Sequence, residues 1–109
     1  MMSNFDSEAQ RDLMAAATRF YEAKMYDHCM IILNSLMALA HKEAYVLAGH
    51  CVSEQNDDKG DAISKLYYDI SCGLGSAVGC FNSYLVRAKT DRQSADDYIK
   101  RAVDLGWSE

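Results

Sequence analysis

Histidine and cysteine stand side by side twice in this chain, at His28-Cys29 and at His50-Cys51, and a third histidine opens the triplet His41-Lys42-Glu43. Imidazole and thiolate are donors that zinc prefers, and a histidine two residues before a glutamate is the first half of a zinc-deaminase signature. The second half needs a proline ahead of paired cysteines, and the chain contains no proline. The triplet therefore matches by chance. Neighbours on a helix point about 100 degrees apart, so neither His-Cys pair can chelate one ion alone. A composite site of His28, His50 and two cysteines is weighed against histidines that sit at the surface or pack partly, and no metal or cofactor is expected.

The cysteines, at positions 29, 51, 72 and 80, show no C-x-x-C and no histidine at zinc-finger spacing. Each falls among apolar or small residues on a predicted helix. That pattern reads as buried reduced thiols acting as small hydrophobes, which suits a reducing, cytoplasmic compartment. Acids at Asp57-Asp58-Asp61 and Asp96-Asp97 are cation donors by type. Loop solvation for the first group and a helix N-terminus for the second explain them better. A nucleophile elbow, a phosphate loop, a dinucleotide fingerprint and a paired-histidine zinc helix are all missing. Catalysis is not expected.

The elements that carry these residues read as helix throughout, because no proline interrupts the helical period and most glycines lie in the second half. A capping box at Ser7-Glu8-Ala9-Gln10 opens a first helix of about 8–23, with Leu13, Ala16, Ala17 and Phe20 on its apolar stripe. Asp27 is placed to cap a second helix that is apolar on more than one face and therefore buried between neighbours. A third helix covers about 43–54, a loop 54–61, a fourth helix about 61–73 and a fifth 76–88, weakened by Gly79. A second capping box, Thr90-Asp91-Arg92-Gln93, opens the sixth, which stops at Gly106. Short links in up-down order give three antiparallel hairpins, about 8–40, 43–75 and 76–107, within one all-α domain spanning 1–109.

Two of these stretches repeat. Tyr67, Leu74 and Gly75 fall on Tyr98, Leu105 and Gly106 at an offset of 31 residues, and Ser64 and Ser71 fall on Ala95 and Ala102. Leu13, Ala17, Phe20, Cys29, Leu33 and Leu36 resemble the large-small-aromatic pattern of a tetratricopeptide repeat. Ala95, Tyr98, Ile99, Arg101, Ala102, Val103 and Gly106 resemble its relative, the Sel1-like repeat, and Ser64, Tyr67, Tyr68, Ser71, Cys72 and Gly75 do so more loosely. The resemblance implies a short right-handed α–α superhelix over about 8–107. It departs from the pattern at His41, where the tetratricopeptide unit closes with proline, and in the fifth helix at Gly79, Asn82 and Ser83. Trp107 is expected to fold back over the last helix, where no further repeat covers it.

In such arrays the first helix of each hairpin lines a concave face. The resemblance thus implies partner-binding positions at Arg11, Met14, Thr18, Tyr21 and Glu22 in the first helix, and Tyr45, Gly49, Val52 and Ser53 in the third. Tyr21 and Tyr45 are the expected anchors, since tyrosine is enriched in contact patches; the alternative is that these side chains pack on one another and close the groove. The charge reads either as a solvated surface kept apart by self-repulsion or as a face that steers toward a basic partner. Residues 1–58 carry four Lys/Arg against nine Asp/Glu, whereas 59–109 carry seven of each, so the whole net charge of −5 arises in the first half. Such a balance opposes nucleic-acid binding and suits a basic protein. Apolar runs such as Met30 to Leu33 are far short of the roughly 20 residues that cross a bilayer, and the opening MMSNFDSEAQRD lacks the basic and apolar blocks of an export signal. The expected role is a small cytoplasmic inhibitor or immunity protein holding one dedicated basic toxin, with a chaperone or adaptor for a secreted or membrane-associated protein as the alternative.

Overall fold

A computed structural model describes residues 7–55 and 58–108, without the side chain of Asp58. It contains six helices and, among the described residues, no strand: α1 (Ser7–Glu22), α2 (Tyr26–Ala38), α3 (Lys42–Ser53), α4 (Asp58–Gly73), α5 (Ala77–Arg87) and α6 (Arg92–Asp104). Each of α1, α2, α3, α4 and α5 packs on the helix that follows it, and two pairs of helices two apart, α1 with α3 and α3 with α5, also touch. The molecule measures 43 × 31 × 24 Å with a radius of gyration of 14.1 Å, above the roughly 13 Å of a rounded chain of this length. Helices laid side by side in chain order produce that elongation.

Four of the helix ends close alike. At the end of α1 the Met25 amide donates to the Phe20 carbonyl and the Lys24 amide to Tyr21. His41 to Leu36 and Ala40 to Met37 repeat the pair after α2, Ser76 to Ser71 and Gly75 to Cys72 after α4, and Trp107 to Ala102 and Gly106 to Val103 after α6. Each is a Schellman closure, which needs a left-handed residue one position beyond the cap. Gly75 and Gly106 occupy it at φ 98° and 102°, and Lys24 and Ala40 at 62° and 58°. The repeat seen at an offset of 31 residues is thus a repeat of the same closure.

Helix starts shift by small amounts. Asp27 does not cap α2: the cap is Met25, which makes no side-chain bond, and Asp27 sits in the first turn, where its charge faces the positive helix end. Asp91, one residue beyond the expected Thr90, caps α6 by accepting from the Ser94 amide at 3.2 Å. Ser7 already lies within α1, and the residues before it fall outside the described residues. The loop before α4 is shorter than 54–61, because α4 begins at Asp58; positions 56 and 57 lie outside the described residues.

Two apolar clusters form the interior. Ala17, Cys29, Leu33, Leu36, Ala44, Leu47, Ala48 and Cys51 make the first, flanked by Phe20, Tyr21 and Tyr67. Cys72, Cys80 and Ala102 make the second, with Phe81, Tyr98, Ile99 and Trp107 around it. Trp107 stacks on Phe81 at 4.1 Å between ring centroids, covering this cluster as its position after the last closure suggests. Where α4 meets α5, Gly79 is required: a Cβ there would run into the side chain of Ser71. The residue that weakens the helix is what lets the two helices touch.

One expectation about the thiols is overturned. Cys72 and Cys80 are joined by a disulfide, with Cα atoms 4.4 Å apart. The tight turn after α4 and the bare Gly79 bring the end of α4 and the start of α5 within bonding range. Cys29 and Cys51 are free thiols, as expected, and both are buried.

Candidate functional site

The expected contact positions divide between surface and core. Arg11 and Glu22 are exposed, while Met14, Thr18, Tyr21, Tyr45, Val52 and Ser53 are half-buried. Thr18 turns its hydroxyl back to the Met14 carbonyl at 2.8 Å, a bond within its own helix. Met14 and Tyr21 lean on the first apolar cluster. Gly49 is buried, and a Cβ there would run into the Tyr68 ring. Its role is to admit that ring between α3 and α4.

The two tyrosine anchors lie at different ends of α3. Tyr45 donates to the Met37 carbonyl at 3.3 Å and meets the Tyr67 ring edge-on at 6.0 Å. Tyr21 donates to Glu54 Oε2 at 3.2 Å, and its ring lies 5.9 Å from Tyr26 and 6.3 Å from His50. Tyr45 and Glu54 are nine residues apart in sequence, a rise of about 13 Å along a helix. No ring contact joins Tyr45 to Tyr21. Both tyrosine rings pack on this chain's own aromatic neighbours.

What the fold gathers is the junction where α1 ends, α2 begins and α3 ends. Tyr21, Tyr26, His50 and Glu54 meet there; Glu22 and Asp27, next to Tyr21 and Tyr26 in sequence, are exposed. A surface cavity of about 310 Å³ opens beside them, lined by Lys24, Met25, Tyr26, Asp27, His28 and Gln55. Burial, the bond to Glu54 and the charge of that carboxylate push the Tyr21 phenol up to about 12, so it stays a neutral donor. His50 pairs through Nδ1 with the Tyr68 hydroxyl at 2.8 Å. Burial holds its imidazole below the usual value, opposed by Glu54. His28 rests against the Phe20 ring at 5.3 Å. The described residues include no group of three or more His, Cys, Asp or Glu side chains placed to hold a metal ion.

The sequence offered little sign of two further polar clusters. Arg87 reaches Asp69 with both arms, Nη1 to Oδ1 at 2.9 Å and Nη2 to Oδ2 at 2.6 Å, while Ser83 donates to Oδ1 at 2.9 Å. The Tyr98 ring lies 4.3 Å from the guanidinium carbon, and the bonds to Asp69 hold that cation protonated more firmly than usual. Ser71 donates to the Lys42 carbonyl at 2.8 Å, and Ser76 donates to Glu43 at 3.2 Å while accepting from the Gly79 amide at 3.0 Å. The only hint was serine where the repeat pattern wants a small apolar residue. These buried groups satisfy one another and serve packing.

No helix among the described residues is long and apolar enough to cross a membrane. No family model, curated protein or solved structure matches this chain.

Proposed function

We propose that this chain is a non-enzymatic protein-binding module: three antiparallel helix hairpins stacked as a short right-handed α–α superhelix of the tetratricopeptide and Sel1-like kind, holding one dedicated basic protein. The observation that carries this reading is the aromatic and acidic junction of α1, α2 and α3. Tyr21 and Tyr26 offer ring faces and edges, and Glu22, Asp27 and Glu54 offer exposed carboxylates. Lysine and arginine side chains interact favourably with both kinds of group. Contact between α1 and α3, and between α3 and α5, supports the stacked arrangement.

Within this class the chain acts as an inhibitor that covers the basic surface of a toxin. A second role, chaperone or adaptor for a secreted or membrane-associated protein, is favoured by the disulfide. A cytoplasmic site of action goes with reduced thiols, whereas the Cys72–Cys80 bridge supports an oxidising compartment. The test is affinity capture from the native cell with the wild-type chain and with Glu22→Lys/Asp27→Lys. Recovery of one stoichiometric basic polypeptide by the wild type, lost with the reversed charges, is the expected result. Equal recovery by both proteins contradicts the reading.

A further inference from the structure

The first apolar cluster contains a second pair of cysteines. Cys29 on α2 and Cys51 on α3 are both 0% exposed, and the Cys51 thiol donates to the Cys29 sulfur across 3.3 Å. A disulfide needs the two sulfurs at about 2.05 Å, so closure asks for a small approach between helices that already pack together. The other half of the molecule holds a bridge between the next packed pair but one, α4 and α5. An environment that forms and keeps one of these bonds supplies the oxidant for the other.

We propose that Cys29 and Cys51 are a second disulfide site, closed during folding by exchange with a small-molecule disulfide and bolting α2 to α3 as Cys72–Cys80 bolts α4 to α5. One cysteine thiolate attacks a sulfur of the donor disulfide, whose other sulfur leaves as a thiol with a proton. The second cysteine thiolate then displaces the remaining donor half. The Cys29–Cys51 bond forms, two S–H bonds and one donor S–S bond are lost, and the donor is reduced to two thiols. Because no surface of either side chain meets solvent in the folded chain, the exchange takes place before the cluster closes. Burial also raises both thiols above their usual range, which makes the folded, reduced pair inert. This inference stands apart from the partner reading, since it depends only on the core.

The experiment uses the wild-type chain refolded from guanidinium in a mixture of oxidised and reduced glutathione. The product is quenched in acid, unfolded, treated with N-ethylmaleimide and weighed by mass spectrometry, with peptide mapping of the links. The expected product takes up no maleimide and yields a Cys29–Cys51 peptide. Two maleimides, on Cys29 and Cys51, overturn the proposal, as do links from either residue to Cys72 or Cys80. A second arm adds oxidised glutathione to folded protein in which only Cys72–Cys80 is closed. Retention of two titratable thiols, at least tenfold longer than during refolding, is expected; oxidation at the same rate in both arms contradicts closure during folding.

Discussion

Single side chains decide how the turns close and how the interior stays neutral. Lys24 and Ala40 hold left-handed conformations that cost a non-glycine residue roughly 1–2 kcal/mol. Lys24→Gly and Ala40→Gly are each expected to raise stability by about 1 kcal/mol in urea unfolding, after allowing for the freer unfolded chain. Gly106→Ala should lower it by a similar amount. The Asp69–Arg87 pair works in the opposite sense, because Arg87 keeps only 9% side-chain exposure. Asp69→Ala strands that cation and should cost about 3 kcal/mol, and Asp69→Ala/Arg87→Met should recover part of the loss. His50 adds a pH dependence. Its folded-state value lies below the 6.5 of the unfolded chain. Protons therefore bind the unfolded chain first as pH falls through about 6.5. Stability drops from there and levels off once the folded-state value is passed. His50→Gln should remove that step from a comparison of unfolding at pH 7 and pH 5.

At the scale of elements, helix identity was legible because apolar residues recur at the helical period with no proline to break it. The two glycine closures were legible as well, since Gly75 and Gly106 end matching stretches. Lys24 and Ala40 perform the same task invisibly, because neither residue type announces a left-handed turn. Gly79 read as a weakness, and only the approach of α4 explains it. Gly79→Ala is expected to push against Ser71 and cost about 2 kcal/mol, visible as a lower urea midpoint. The disulfide escaped for a related reason: eight residues between cysteines say nothing about distance until the turn between them is known. Reducing Cys72–Cys80 should cost about 2.5 kcal/mol by the loop-entropy relation for a segment this short. The expected contact residues could be placed on helices from the sequence, but not as neighbours of one another. Glu54 and Tyr26 join Tyr21 through chain turns that periodicity does not locate, while Gly49 proves to be a seat for Tyr68.

For the molecule as a whole, acidity and architecture point the same way. The first half carries the entire excess of acid, and the junction of α1, α2 and α3 displays part of it beside two tyrosines. In the proposed function, such a surface would draw a basic partner by long-range attraction and then hold it by packing. Attraction between exposed charges is screened over about 10 Å at 0.1 M salt, so the complex must weaken as salt rises. The most direct test is the dissociation constant of the captured partner at 50 and 300 mM sodium chloride, for the wild type and for Glu22→Lys/Asp27→Lys. The account predicts at least tenfold weaker binding by the wild type at the higher salt, and a reversed-charge variant that is weak at both. An affinity that is the same at both salt concentrations and in both proteins would contradict it.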